Sequence, residues 1–497
     1  MEKSSPPKEM NKKVAKVKTF PVPFALGKGI QNITITTNNS FKSSKEEIIN
    51  QAVKLHTQGD ISEAAKYYQL FIDQGCNDHR IFSNYGIILK HLGKLQEAEM
   101  SYRKAIEINP DFENAYYNIG NILKAQGNLQ EAEISYRKTI EINPDFGEAH
   151  LNLGNILRDL GKSDEAEISY RKAIEINPDF GDAHLNLGSI LIDLGKLEEL
   201  LLLSKSTLKS RSINLEDKLF ALLRITITNL LQKNFSETLL HIKQTNKLIS
   251  EGAINDFKDQ KNKKYALAFS KFITALYPLL ANKNNNLNLY KIPHFGESHS
   301  LSFAHQTISL FSSLNMIQPV LITGAKAWHF ANYKNNKWKD SLSQQIKKHN
   351  YSDKVFISFG EIDCRKDEGI LMYSINNNKN ISEICEKTII GYLNHMERAL
   401  KPNYLKRYYF GIPAPTMTKE VLDELDKKRI EIIKKYNFLY KKEVLSRGCY
   451  FLDVYALTST KDGVNNNLHM CDNTHLSPKC LSILFEKHLY KSRILIK

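Results

Sequence analysis

Prolines at 110, 144 and 178 stand 34 residues apart, and the same interval separates Gly86, Gly120, Gly154 and Gly188. It also separates Gly93, Gly127, Gly161 and Gly195, then Ala98, Ala132 and Ala166, then Tyr102, Tyr136 and Tyr170. The string Glu-Ile-Asn-Pro-Asp-Phe recurs unchanged at 107–112, 141–146 and 175–180. A weaker copy precedes these at Gly59, Ala64 and Tyr68, with Cys76 where the proline would fall. The last copy decays after Gly195, where Leu200 replaces the alanine. A fixed period of this length means one supersecondary unit per repeat, too small to bury its apolar face alone, so that neighbours must stack.

Each repeated position has a physical use in a helix–turn–helix unit. Small residues at 86 and 98 and their equivalents let two helices approach closely. The Gly93 series suits a left-handed helix cap, and the tyrosines fill the groove between helices. The prolines stand where helices start or stop and no N–H is needed. The pattern resembles tetratricopeptide repeats, which implies an all-α solenoid of five repeats over residues 44–214. Asn84, Asn118, Asn152 and Asn186 share one register, and Asn121 and Asn155 lie three residues further along the same face. An amide offers both donor and acceptor, so such a row can bind a peptide backbone without demanding particular side chains. It resembles the asparagine ladder of nucleocytoplasmic O-linked N-acetylglucosamine transferases, although nothing after residue 289 looks like their catalytic region. Residues 215–281 keep an irregular helical pattern and are expected to cap the open end.

The chain has 497 residues, enough for two or three domains at about 150 residues each. The first 43 residues mix Lys, Ser, Pro and Thr without periodicity, which predicts a disordered basic tail. Its apolar stretch at 20–26 is broken by Pro21 and Pro23, a poor signal-peptide core. No run approaches the ~18 apolar residues of a membrane span. Six cysteines in so long a chain make no disulfide framework, which points to reduced thiols and a cytoplasmic setting. The net charge is +15, but the excess is scattered Lys among Asn runs, and no nucleic-acid-binding signature accompanies it. Nucleic acid is therefore not expected as a partner.

After an Asn-rich linker at 282–288 the pattern changes. Short β-rich runs at 290–295, 319–323, 354–359, 407–412 and 450–454 alternate with helical stretches at 383–400 and 419–446. Alternation of this kind predicts a parallel sheet with helices on both faces, and ligands in such sheets sit beyond the carboxyl ends of the strands. The first run leads into Gly296-Glu297-Ser298, the second ends at Gly324, and the third ends at Gly360-Glu361-Ile362-Asp363. Asp472-Asn473-Thr474-His475 follows the last.

In this order the blocks resemble the SGNH (GDSL-type) hydrolases over residues 289–497. That resemblance implies a flavodoxin-like three-layer α/β domain that cleaves or transfers acyl esters, possible carriers including glycans, without a cofactor. It assigns Ser298 as nucleophile, His475 as base and Asp472 as its orienting partner, with backbone N–H groups of Ser298 and Gly324 as the oxyanion hole. Two positions depart from the family: Glu297 stands for Asp, and Ile362 for the Asn that donates to the oxyanion. Arg365, three residues on, is the substitute donor or anion holder.

Lys326, Trp328, Glu361 and Asp363 are substrate-binding candidates on the adjoining loops. For Trp328 the bland alternative is packing, and for the two acids it is an ion pair with Arg365. His469, Cys471, His475 and Cys480 match no zinc spacing, so no metal is expected. Cys364 reads as a buried thiol. Two functions stay open: an SGNH-type esterase or acyltransferase whose repeats recruit a peptide or protein, or a non-catalytic tetratricopeptide scaffold carrying a degenerate hydrolase-like domain.

Overall fold

A computed structural model of the protein describes residues 45–491 apart from 76, 210–213, 258–259, 281–288, 312, 367–368 and 418–421. The expected tail at 1–43, the linker at 282–288 and Cys76 lie outside the described residues. The chain forms two compact units, Met1–Ala149 and His150–Lys497. The border thus falls within the repeats and not at the linker.

In the first unit, helices pair as Lys45–Gln58 with Ile61–Asp73, His79–His91 with Leu95–Ile108, and Glu113–Ala125 with Leu129–Ile142. The turns between partners rest on Gly59, Gly93 and Gly127, at φ of 86°, 78° and 81°. There the backbone reverses, and Lys94 N–H reaches back to Leu89 C=O at 2.9 Å, as Asn128 does to Leu123. These bonds satisfy carbonyls that a helix end leaves open. Tyr102 and Tyr136 are fully buried. A Cβ on Gly86 would come within 2.6 Å of the Tyr102 ring, and one on Gly120 within 2.7 Å of Tyr136. Glycine at these positions is what lets the ring lie on the helix backbone.

The second unit continues the pattern with Ser163–Ile176, Gly181–Asp193 and Leu197–Lys209, and Tyr170 again covers Gly154. At the next repeat the aromatic is missing, since position 204 is Ser. Arg224, from helix Leu215–Leu231, lays its guanidinium over Gly188 instead and donates to the carbonyls of His184 and Leu185. Burial lowers its pKa to about 10. Helices Phe235–Ser250 and Gln260–Leu280 follow helix Leu215–Leu231. No helix among the described residues is long and apolar enough to cross a membrane.

Seven strands among the described residues make one sheet: β1 (Tyr290–Gly296), β2 (Thr307–Leu310), β3 (Ser313–Leu321), β4 (Lys354–Ser358), β5 (Lys406–Phe410), β6 (Tyr450–Leu452) and β7 (Leu489–Lys491). Their order is β2-β3-β1-β4-β5-β6-β7. β3, β1, β4, β5 and β6 run parallel. β2 and β7 are antiparallel edges, which corrects the all-parallel expectation to a mixed sheet. β3 also starts six residues earlier than its apolar run, because its first turn of side chains is polar (Ser313, Asn315). Pro319 is tolerated in it because β2 pairs only as far as Met316, so no neighbour on that side needs its N–H.

Alternate residues feed two cores. Phe295, Ile357, Tyr409 and Phe451 face one, covered by helices Ile381–Leu400 and Glu424–Ser446. Phe356, Tyr408, Phe410 and Leu452 face the other, with Leu484 of helix Leu481–Lys487. The helix that was expected from 419 starts at Glu424, and 418–421 lie outside the described residues.

The tyrosine-on-glycine contact yields a stability prediction. Gly120→Ala should destabilise the first unit by roughly 1–3 kcal/mol, the usual cost of overpacking. Urea denaturation checks it, and a loss below about 0.5 kcal/mol would mean the ring has room to retreat.

Candidate active site

β1 and β4 approach so closely at their carboxyl ends that a Cβ on Gly296 would overlap the Ser358 hydroxyl. That hydroxyl pairs with Nε2 of His294 at 2.9 Å. The chain leaves β1 through an extended Glu297, and Ser298 opens the short 3₁₀ turn Ser298–Leu301. This is the carboxyl edge of the sheet.

The loop after β6 brings a second group to the same edge. Asp472 Oδ1 accepts from the backbone N–H groups of Thr474 and His475, each at 2.7 Å, folding a tight local turn. The turn aims the His475 ring, whose Nδ1 lies 2.8 Å from Asp472 Oδ2 and whose Nε2 lies 2.8 Å from Ser298 Oγ. Ser298 and His475 are 5% and 7% exposed. Burial alone would raise the Asp472 carboxyl, but hydrogen bonds from His475 and from the two backbone N–H groups hold it down at about 2.

Four contacts were not foreseen. Ser298 Oγ–H also donates to the Glu297 carboxylate. His299 has Nε2 3.1 Å from the Thr474 carbonyl and its ring 4.8 Å from that of His475. Burial, and then the charge on His475, lower its pKa. Phe272 of helix Gln260–Leu280 stacks on His475 with ring centroids 3.6 Å apart. Apolar periodicity marks Phe272 as buried, but nothing in the sequence says against what.

The other loop residues divide. Asp363 accepts from the backbone N–H groups of Ala327 (2.7 Å) and Trp328 (3.0 Å), so it caps the short helix Ala327–Ala331 after Gly324. Burial pushes it up to about 6. Gly324 takes φ +67° at the turn leading to that helix. Lys326, Trp328 and Asp363 line one cavity of about 200 Å³ with Tyr373 and Ile384, and its lining includes no member of the Ser298–His475–Asp472 group. Trp328 is 46% exposed, on the surface and not packed beneath the loop. Glu361 instead lines a crevice with His299 and Leu476. Arg365 is engaged with Glu361 through Nε (2.9 Å) and Nη2 (2.8 Å). Burial alone would raise Glu361, and Arg365, His299 and Arg429 hold it below its ordinary value. The ion-pair alternative thus describes Glu361 but not Asp363. Ile362 is buried, with no polar group to offer.

Cys364 is buried and its thiol is pushed up. Burial likewise pushes Cys471 and Cys480 up to about 12. Among the described residues no group of three His, Cys, Asp or Glu side chains is placed to hold a metal ion.

The repeat asparagines are less open than a groove-lining row. Asn84 and Asn118 are buried, while Asn152 and Asn186 are half-buried. Asn121 and Asn155 accept from the hydroxyls of Tyr136 and Tyr170, both at 2.9 Å. Asn186 donates to Asn155 (3.0 Å) and accepts from Arg158 (2.9 Å).

Comparison with known proteins places tetratricopeptide repeats over residues 86–200. Residues 86–127 match a family model described as TPR repeat, and 113–146, 147–180 and 169–200 match models described as Tetratricopeptide repeat. No curated protein matches the sequence. Solved structures similar to the chain include MamA, at 24% identity and TM-score 0.29, over 31% of this chain and 89% of that one. YrrB, "a TPR protein with an unusual peptide-binding site", is 21% identical with TM-score 0.34, over 41% and 99%. PilF of Pseudomonas aeruginosa is 13% identical with TM-score 0.36, over 45% and 96%.

The depressed Asp472 carboxyl has a pH consequence. Its folded value of about 2 lies below the ordinary ~4, so its pairing stabilises the fold above about pH 4, and that contribution is lost as pH falls through about 2. Asp472→Asn should cost roughly 1–2 kcal/mol at pH 5 and almost nothing near pH 2. Urea unfolding of both proteins at the two pH values checks it, and a pH-independent difference would contradict the pairing.

Proposed function

We propose that the chain is a tetratricopeptide interaction protein whose repeats receive a peptide or protein partner. The repeat matches over residues 86–200 carry this reading. Within the first unit, the buried Asn118, which has no hydrogen-bond partner at Nδ2, is the amide we assign to the partner's backbone. A peptide selected from a random library against the full chain provides the test. Asn118→Ala should weaken its binding about 2- to 10-fold, the worth of one hydrogen bond. Unchanged affinity would remove Asn118 from the partner site.

A second reading is favoured by one observation, the hydrogen-bonded chain Ser298–His475–Asp472. We infer that the sheet region is an acyl-ester hydrolase or acyltransferase of SGNH type. Its five parallel strands, numbered in chain order, run 2-1-3-4-5, the flavodoxin-like order, and the site lies at their carboxyl edge. Ser298 Oγ attacks the ester carbonyl as His475 Nε2 takes its proton, and Asp472 steadies the imidazolium that forms. The N–H groups of Ser298 and Gly324 receive the oxyanion. With Ile362 in place of an amide donor the rate falls short of a fully equipped site by about 10²–10³-fold.

Fluorophosphonate labelling decides between this reading and a scaffold without catalysis. Wild type should label and Ser298→Ala should not. A folded wild type that stays unlabelled would leave the interaction role alone.

A further inference from the structure

We propose that Phe272, on a helix outside the sheet, is a positioning residue for His475. The inference rests on the acyl-ester reading above. Asp472 holds the imidazole at Nδ1, and Ser298 lies at Nε2. The ring's remaining freedom is rotation about its Cβ–Cγ bond, which these two contacts oppose only through the directionality of their hydrogen bonds. A flat surface against one face removes that freedom. Phe272 supplies it, fully buried, with ring centroids 3.6 Å apart and planes 18° from parallel. His299, tilted by 39° at 4.8 Å, is less well aligned to do so.

Two turns before Phe272 on the same helix stands the half-buried Tyr265. Tyr265 is held in turn by Phe220 and Phe269, at 6.1 and 4.5 Å between ring centroids. The helix that carries Phe272 is thus anchored by an aromatic row in the two turns before it.

The contact strengthens as reaction proceeds. When the Oγ–acyl bond forms, the Ser298 proton passes to Nε2, and a neutral ring becomes an imidazolium against an aromatic face. When the ester C–O bond breaks, that proton leaves with the alcohol. A cation on a desolvated ring face is attracted more than a neutral imidazole is. An interaction that grows toward the transition state lowers the barrier, whereas one present throughout does not.

The test uses the full chain and two readouts. Diethyl pyrocarbonate acylates accessible imidazoles, and peptide mass spectrometry follows His475 with the exposed His91 as internal standard. Wild-type His475 should react about tenfold or more slowly than His91, and Phe272→Ala should bring the two within about threefold, because a covered group reacts only on local opening. Equal wild-type rates would overturn the proposal. Fluorophosphonate labelling of Ser298 then separates positioning from cover. Phe272→Leu, apolar but without a flat face, should slow labelling about 3- to 30-fold, and Phe272→Tyr should recover most of it, with folding of each verified by circular dichroism. A Leu variant that labels at the wild-type rate removes the role of Phe272 alone. A wild type that does not label removes the acyl-ester reading and this role with it.

Discussion

The carbonyl of Asp193 closes a repeat helix and has no next turn to bond to, while that of Ile192 just before it accepts from Gly195 N–H at 2.9 Å. Gln345 donates to both, at 3.3 and 2.9 Å, and Ser341 to Asp193 at 3.1 Å. These donors come from helix Lys337–Lys348, on the connection between β3 and β4. Below them, Asp340 accepts from Ser163 N–H at 3.2 Å. A buried carbonyl left unpaired costs about 1–3 kcal/mol, so the last repeats and the sheet hold together through groups that neither could satisfy alone. This is why residues 150–497 form one unit. The site inherits its geometry from the same joint. The cap helices start from those repeats, Arg224 pins them to Gly188, and Phe272 arrives over His475 at their far end.

Much of this was legible in the sequence where a rule is periodic or local. The 34-residue interval locates the repeats because each unit obeys the same packing constraint, tyrosine on glycine. β1, β4, β5 and β6 announce themselves because strands buried on both faces are nearly continuous apolar runs. The edges were not legible: β2 and β7 are short, and β3 opens on Ser313 and Asn315, which look like loop. Ser341 and Gln345 were equally silent. Polar residues on a helix usually face water, and only the fold shows them turned onto another element's carbonyls. At the candidate site, the order of Ser298, Gly324 and Asp472-x-x-His475 pointed to one sheet edge, whereas Phe272 and the Glu297 contact depend on tertiary packing that no spacing encodes.

The asparagines show why recurrence at one register is ambiguous. Asn121 and Asn155 repeat for a reason internal to the repeat: each receives the hydroxyl of the tyrosine that the neighbouring glycine admits. In these two repeats the Gly–Tyr contact and the Asn form one device, whereas Tyr102, over Gly86 with Ile87 beside it, keeps its hydroxyl without a partner. Tyr68 shows the same logic with Asn84, whose hydrogen bond opposes the larger effect of burial on its hydroxyl. A stacked amide row can therefore arise without a ligand, and only an amide atom left over, such as Nδ2 of Asn118, speaks for one.

Ser298 has one proton and two acceptors in reach, His475 Nε2 and the Glu297 carboxylate. With Nδ1–H directed at Asp472, a neutral His475 must receive the serine proton at Nε2 to act as base. A proton given to Glu297 instead leaves Nε2 to donate, which it does only as imidazolium. The two arrangements differ in the charge stored at the site, and the balance depends on what stabilises that imidazolium: the Asp472 carboxylate along its edge and the Phe272 face across it. On the acyl-ester reading proposed above, a carbonyl arriving at Ser298 would compete with the Glu297 hydrogen bond, and Ile362 would offer the oxyanion no side-chain donor. Both would weaken the serine, while the aromatic cover over His475 would act in the other direction.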